Sequence, residues 1–173
     1  MKTTLTLVLT FLALLVFRQS AVAQQYTVSF QAANGKYVVA EGGGGGRVNA
    51  DRDAIGPWEK FTLIDLNGGI LVDGDEVNIK SINGLFVVAE DGGGGVVNAD
   101  RELAGPWEKF IIRRTIGICC RDRISSGMSI GLRASNRQWV VAENGGGGVV
   151  NANRDALGRW ETFTLIIHRR VAQ

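Results

Sequence analysis

The sequence predicts an all-β domain built from three copies of one unit, and three observations lead to that prediction. Segment 37–61 returns almost letter for letter at 86–110 and 139–163. In every copy a Glu lies 8 residues before an Asn and 17 before a Trp, so the copies align without an insertion. Apolar and polar residues alternate with period two between turn residues that recur every 8 to 12 positions. Copies that start 49 and then 53 residues apart indicate a repeat architecture and suit a closed three-fold domain.

Each unit opens with an alternating segment followed by a tight turn. The alternating segments are 28–32, 77–81 and 130–134, and their period of two predicts half-buried strands. Asn-Gly is the pair that best tolerates the positive φ of a tight hairpin, so a second strand is expected after each turn. The turns are Asn34-Gly35, Asn83-Gly84 and Asn136-Arg137.

The second strand of the unit ends in Val-Val-Ala-Glu and leads into a glycine run. Alternation places Val38 and Ala40 inward and Glu41 outward, together with Tyr37 and Val39. The glycine runs 42–46, 92–95 and 145–148 have the composition of a linker, but their fixed spacing predicts the loop of a second hairpin. A phosphate loop is disfavoured because no Gly-Lys-Ser/Thr follows and no helix is predicted.

The last strand is predicted to start at the repeated Trp. Alternation along 58–63 places Phe61 and Leu63 in the core and Trp58 outward. Four strands in each of three units give a barrel with three-fold pseudosymmetry, which is a β-trefoil. Stretches 64–76 and 113–128 differ between copies and are expected to hold the variable strand and connecting loops.

Residues 1–23 have the pattern of a secretory signal peptide. Lys2 supplies the positive start, 5–17 the apolar core and Ala21-Val22-Ala23 the cleavage site. The apolar run of 13 residues is shorter than the roughly 20 that span a bilayer as a helix. We therefore predict a protein that is secreted, periplasmic or at the cell surface, with an uncleaved anchor as the alternative. The mature domain is predicted at 24–173, with units at about 24–76, 77–128 and 129–173.

Charge and cysteine content exclude several partner classes. Removing Lys2 and Arg18 from the 19 basic residues leaves 17, against 17 acidic residues, so the mature chain is formally neutral. Nucleic acid binding is disfavoured because it relies on clustered basic residues. The only cysteines, Cys119 and Cys120, are adjacent, which leaves open a strained ring, two thiols or an intermolecular bridge. Two such Cys without paired His cannot complete a zinc site, and no cofactor or metal is predicted.

The motif set resembles the fascin-like trefoil repeat over essentially the whole mature chain. Units of that group carry an aromatic-aliphatic-x-Ala-Glu strand, a glycine-bearing loop, an Asn-Ala-x-Arg segment and a Trp-Glu-x-Phe strand. The resemblance is closest to bacterial carbohydrate-binding modules of family ninety-two, which are secreted and bind β-glucans. It implies ligand-binding roles for Trp58, Trp107, Trp160, Glu41, Glu90 and Glu143. The third copy departs from the pattern at Asn153, Arg159 and Thr162, where the other copies have Asp, Pro and Lys.

The repeated residue types suit a sugar ligand. An exposed Trp offers an apolar plate to the flat C–H face of a sugar, and an ionised Glu accepts hydrogen bonds from neighbouring hydroxyls. The alternative is that each Trp plugs the barrel rim. A second Glu set is predicted to point inward and to pair with Arg in a structural salt bridge. Its members and the other secondary candidates are Glu59, Glu108, Glu161, Asn49, Asn98, Asn151, Arg52, Arg101 and Arg154.

Catalysis is disfavoured. A glycosidase needs two carboxyls roughly 5 to 9.5 Å apart, which Glu41 and Glu59 could supply, but catalytic sites are rarely kept three times over. The single His168 has no nucleophile motif near it, and 49–53 lacks the spacing of a calcium loop. We therefore predict a non-catalytic lectin or carbohydrate-binding module for polysaccharide. A protein-binding trefoil, such as an adhesin, is the alternative, and an accessory module of an enzyme complex is a third.

Overall fold

The computed structural model describes residues 22–116 and 122–171, which form twelve strands. Most of the predicted signal peptide lies outside these ranges, and so do Cys119 and Cys120. Within the described ranges no helix is long and apolar enough to cross a membrane.

Each unit contributes four strands. The strands of the first unit are β1 (Gln24–Gln31), β2 (Tyr37–Ala40), β3 (Val48–Arg52) and β4 (Phe61–Asp65). The strands of the second unit are β5 (Glu76–Lys80), β6 (Phe86–Ala89), β7 (Val97–Arg101) and β8 (Phe110–Arg114), and those of the third are β9 (Ser129–Arg133), β10 (Trp139–Ala142), β11 (Val150–Arg154) and β12 (Phe163–Val171).

Six of the strands close a barrel, and all its pairings are antiparallel. Strand β1 pairs with β4 and β12, β5 pairs with β4 and β8, and β9 pairs with β8 and β12. The other six form the hairpins β2–β3, β6–β7 and β10–β11, each with a register shift. The all-β barrel with three-fold pseudosymmetry that the repeats predict is confirmed.

The two ends of the barrel carry different elements. Strand β1 runs from Gln24 to Gln31, which leads into the first hairpin, so the hairpins mark one end. Asp65 pairs with Gln24, and Val171 pairs with Gln25, which places both chain ends of the barrel at the other end. We call these the hairpin end and the terminal end.

The core is filled by equivalent side chains from the three units. Phe61, Phe110 and Phe163 are at most 2 % exposed, and each begins the last strand of its unit. The alternating residues of the barrel strands complete the cluster with branched aliphatic side chains, as expected for a pleated surface that faces a core. A cavity of about 30 Å³ lined only by these apolar side chains remains inside.

Two expectations about burial were wrong. The opening strands are buried on both faces: the segment of the repeated Trp covers Ser29 and Asn78, and each donates a hydrogen bond to the carbonyl of the Glu that follows that Trp, at 2.7 and 2.8 Å. The third unit has Gly131 at this position. Val39, predicted to face outward, is also fully buried, although it does not belong to the central cluster. Alternation assigns a residue to a face and cannot say whether another segment covers that face.

The predicted last strand also begins later than expected. Strand β4 starts at Phe61, and the preceding residues from Gly56 to Lys60 form a turn in which Lys60 N donates to Pro57 O at 3.3 Å. Trp58 therefore points outward from a turn and not from the outer face of a strand. The third unit forms the same turn, with Thr162 N donating to Arg159 O at 3.4 Å, although Arg replaces the proline there, so the proline is not what delays the start of the strand.

The glycine runs form the loops of the second hairpins, as predicted, and they also join the three units. Each run begins with a short 3₁₀ turn: Glu41–Gly43, Glu90–Gly92 and Glu143–Gly145. Two residues after each 3₁₀ turn, a glycine N–H of the run donates a hydrogen bond to a backbone carbonyl of the following unit. These bonds are Gly45 N to Ala99 O, Gly94 N to Ala152 O and Gly147 N to Ala50 O, at 2.7 to 2.8 Å. The Asn turn of each following unit donates back, through Asn83 N to Gly43 O, Asn136 N to Gly92 O and Asn34 N to Gly145 O.

A buried carboxyl at the terminal end makes stability depend on pH. Burial raises the pKa of Asp65 from 3.8 to about 6, with a further contribution from the Asp75 charge, and its Oδ2 has no hydrogen-bond partner. The folded state thus holds this proton more tightly than the unfolded chain does, so its contribution to stability falls as pH rises from about 4 to about 6.

Replacement of this carboxyl by an amide is expected to stabilise the fold at neutral pH. Asp65→Asn removes the buried charge and retains an oxygen for Asn67 N and Gly68 N. We expect a gain of about 1 to 3 kcal/mol in the free energy of unfolding at pH 7.5 and little gain at pH 4. Urea unfolding at the two pH values measures both, with the exposed Asp155→Asn as control. An equal gain at both pH values would rule out a titration effect.

Candidate functional site

The three repeated Trp side chains lie exposed on the molecular surface. Trp58, Trp107 and Trp160 are 45 %, 43 % and 42 % exposed. The backbone under each Trp is fixed, because its carbonyl accepts a hydrogen bond from the Ala that ends the second strand of the unit, at 3.0 to 3.2 Å. The expectation that these side chains face outward agrees with the structure.

The rings of Trp107 and Trp160 each pack by one edge against a glycine loop. A methyl group on Gly92 would lie 3.2 Å from Trp107 Cδ1, and one on Gly145 would lie 3.1 Å from Trp160 Cδ1. A larger residue would therefore push the ring away. The glycines allow the indole edge to seat on the backbone and leave part of the ring surface open to a ligand.

The first Glu set is held by protein side chains. Glu41 Oε1 accepts from Asn49 Nδ2 at 2.8 Å, and Glu41 Oε2 accepts from Arg52 Nη2 at 2.7 Å. The same two bonds recur in the other units at 2.7 Å, with Glu90, Asn98 and Arg101 and with Glu143, Asn151 and Arg154. These carboxylates are half-buried, and each oxygen keeps a lone pair that a ligand hydroxyl can use.

The second Glu set is buried and supports the Trp turn. Glu59 Oε2 accepts from Gly56 N at 2.7 Å, and its Oε1 lies 3.7 Å from Arg52 Nε. Glu108 and Glu161 repeat this arrangement. The expected pairing with Arg is present, but the Arg lies closer to the first Glu set. Arg52 therefore links both carboxylates of its unit, which sequence alone did not show.

The structure places the Trp107 and Trp160 sites on seams between two units. Trp160, Arg159, Asn144 and Gly145 of the third unit line a cleft of about 180 Å³ together with Ala33 and Asn34 of the first. The residue at the position of Ala33 is Ile82 or Ser135 on the other seams, and both contact the glycine loop of the preceding unit. This contribution of the following unit to the site was not predicted, because the sequence of one repeat does not show which residues of the next repeat contact it. The one sequence feature that marks these positions is the Asn that follows each of them in all three units.

Comparison with known proteins identifies the fold. No protein-family model matches the chain, and no curated protein matches it. Among solved structures, a Caenorhabditis elegans protein of unknown function is 14 % identical with a TM-score of 0.64, and the match covers 86 % of this chain and 97 % of that protein's chain. The designed three-fold symmetric protein ThreeFoil is 17 % identical with a TM-score of 0.60, over 82 % and 97 %. The SDF2-like protein of Arabidopsis thaliana is 6 % identical with a TM-score of 0.65, over 88 % and 97 %. The fold is a β-trefoil.

The trefoil arranges groups that suit binding. At Trp107 and Trp160 an open aromatic ring lies against a glycine loop, and each of these loops begins with a Glu whose carboxylate is held by two donors. Within the described residues, no group of three or more His, Cys, Asp or Glu side chains could hold a metal ion. His168 lies on the surface near the C-terminal end, where its Nε2 is 2.9 Å from Ser29 Oγ.

Proposed function

We propose that this protein is a secreted, non-catalytic lectin that binds polysaccharide, with β-glucan as the first candidate, through the three Trp seams. The observation that carries the proposal is the exposure of Trp58, Trp107 and Trp160, each on a backbone held by hydrogen bonds. A Trp that plugged the barrel rim would be covered by its neighbours, whereas more than 40 % of each of these side chains is exposed. A fixed, open indole is the plate on which a sugar ring stacks.

The neighbouring groups add hydrogen-bonding capacity. The carboxylate of Glu41 is oriented by Asn49 and Arg52, so a ligand hydroxyl would meet an acceptor that needs little reordering. Charge-assisted bonds of this kind are stronger than neutral ones. Glu59 has its second oxygen bound to Gly56 N and is buried, which leaves it a supporting role.

Three sites around a pseudo-three-fold axis would act by avidity. Sites spaced about 120° apart face different directions, so one straight chain would reach one of them. Cross-linking of separate chains is the expected outcome, and weak single sites gain ~10²–10⁴ in apparent affinity when several engage one polymer particle. The third site differs in having Arg159 before its Trp, in place of proline.

Loss of the three Trp side chains is expected to abolish polymer binding. Affinity electrophoresis in gels that contain β-1,3-glucan, β-1,6-glucan, cellulose, galactan or carrageenan compares the mature protein with the triple variant Trp58→Ala, Trp107→Ala, Trp160→Ala. Each single variant should weaken retardation only partly. Ile70→Ala, which removes an exposed apolar side chain at the terminal end, should leave it unchanged.

Circular dichroism of the triple variant verifies that it folds. Full retardation of the folded triple variant would contradict the assignment of the seams. Absence of retardation in every gel would contradict polysaccharide binding and would favour a protein partner.

A further inference from the structure

Two of the seams carry a second cleft beside the Trp. One, of about 320 Å³, lies between the second and third units, and the other, of about 370 Å³, lies between the third and first. They are formed by the same positions of the repeat. Ser135 lines the first cleft and approaches Gly92, against which Trp107 packs. Ala33 lines both the second cleft and the one that contains Trp160. Each cleft therefore adjoins a Trp site, and a ligand that is longer than one sugar residue could occupy both.

The two clefts differ in charge. The first, which we call the basic cleft, has three cations and one carboxylate: Lys109, Arg133, Arg137 and Glu76. The second, which we call the hydroxyl cleft, has one cation among amide and hydroxyl groups: Arg159, Gln31, Ser129, Thr162 and Thr164. Lys109 and Thr162 occupy one position of the repeat, so the contrast results from substitution at matched sites.

The cations of the basic cleft are available to a ligand. Lys109 Nζ lies 3.7 Å from Glu76 Oε2, but both side chains are about half exposed, and such a pair contributes little. Arg133 donates from Nε to Arg137 O at 2.8 Å and stacks 5.5 Å from the Trp139 ring centroid, which orients its guanidinium. The exposed Arg137 side chain has no hydrogen bond or ion pair in the described part of the chain.

Arg137 also occupies a backbone position that favours glycine. Its φ is 75°, and the matching residues Gly35 and Gly84 have φ of 89° and 82°. A non-glycine side chain is strained in this left-handed region. The third unit thus places an exposed, unpaired cation in a strained turn at the edge of the basic cleft.

We propose that the basic cleft binds the carboxylate of a uronate residue in an acidic polysaccharide, beside a sugar stacked on Trp107. This proposal rests on the proposed function of the Trp seams. A guanidinium matches a carboxylate with two parallel N–H donors, which a neutral sugar cannot use equally well. The hydroxyl cleft, whose polar groups are mostly uncharged, takes a neutral sugar residue beside Trp160. The three seams are then unequal in ligand preference.

The other repeats supply the test variants. Arg137→Gly restores the residue found at 35 and 84, and Lys109→Thr introduces the residue found at 162. Titration calorimetry with an oligogalacturonate and with a neutral β-1,3-gluco-oligosaccharide measures both preferences at low salt. The double variant is expected to lose about tenfold or more in oligogalacturonate affinity, the scale of one or two charge-assisted bonds, and to keep its affinity for the neutral sugar.

A charge-matched control distinguishes a specific binding site from a general electrostatic attraction between the protein and an acidic ligand. Arg123→Gly with Arg169→Thr removes two exposed cations near the terminal end and should leave both affinities unchanged. An equal loss in this control would overturn the basic cleft. If the protein bound the neutral sugar but did not bind oligogalacturonate, the assignment of the basic cleft would be wrong and the proposed function would stand. Oligogalacturonate binding that depends on Arg137 but survives Trp107→Ala would separate the cleft from the Trp and contradict the proposed function there. Failure of both ligands to bind would contradict both proposals.

Discussion

Gly146→Ala is expected to lower the free energy of unfolding by about 3 to 5 kcal/mol. Gly146 has φ 126° and ψ 171°, a region that is essentially restricted to glycine and costs a side chain about 1 to 3 kcal/mol. Its new methyl group would also lie 2.7 Å from Cγ of Asn34, so this side chain, which stabilises the Asn turn of the first unit by accepting from Lys36 N at 3.0 Å, would have to move. That turn donates from Asn34 N to Gly145 O, and the join between the third and first units would loosen.

The neighbouring Gly148 supplies the control. It belongs to the same glycine run, its φ is not positive, and a methyl group there would meet no atom within 4 Å. Gly148→Ala should change the free energy of unfolding by no more than about 0.5 kcal/mol. Chemical denaturation of both variants measures the difference. Equal stability would show that the loop tolerates side chains throughout and that the interlock between units is weak.

The fold was predictable because repetition and alternation report on local structure. Phe61 and Leu63 were expected in the core, and both are buried because the strand that holds them faces the barrel interior. The Asn turns were expected to need a positive φ, and Gly35 and Gly84 adopt it. These features depend on neighbours within one unit, which the sequence displays directly.

Contacts between units and between segments could not be read from one repeat. Val39 is buried although alternation placed it outside, and Ser29 is buried under a segment in which the carbonyl of Glu59, 30 residues away, accepts its hydrogen bond. The glycine runs were predicted as loops, but the reason for their length lies in the next unit, whose Asn turn and third strand they contact. Pairings of this range follow from closure of the barrel.

The sequence predicted which residues form the candidate site, but it did not predict the hydrogen bonds and ion pairs between them. The exposed Trp58 and the inward Glu59 agree with the expectation, although both lie in a turn. Glu41 was expected to bind a ligand, and the structure shows that Arg52 and Asn49 also bind it. The sequence separation of these residues is constant in the repeats, but constancy cannot say which partner an Arg selects when two carboxylates are within its reach.

Glu108→Ala is expected to destabilise the fold by about 2 to 4 kcal/mol and to weaken the second site. Glu108 is 5 % exposed, and its Oε2 accepts from Gly105 N at 2.6 Å at the start of the turn that carries Trp107. Its loss leaves a donor without its partner and removes one of the charges beside Arg101. Glu108→Gln keeps an acceptor and should lose less than half as much, whereas the exposed Glu102→Ala should be neutral. Thermal unfolding and gel retardation measure the two effects. If Glu108→Ala lost stability with unchanged polymer retardation, the turn would hold Trp107 in place without this carboxylate.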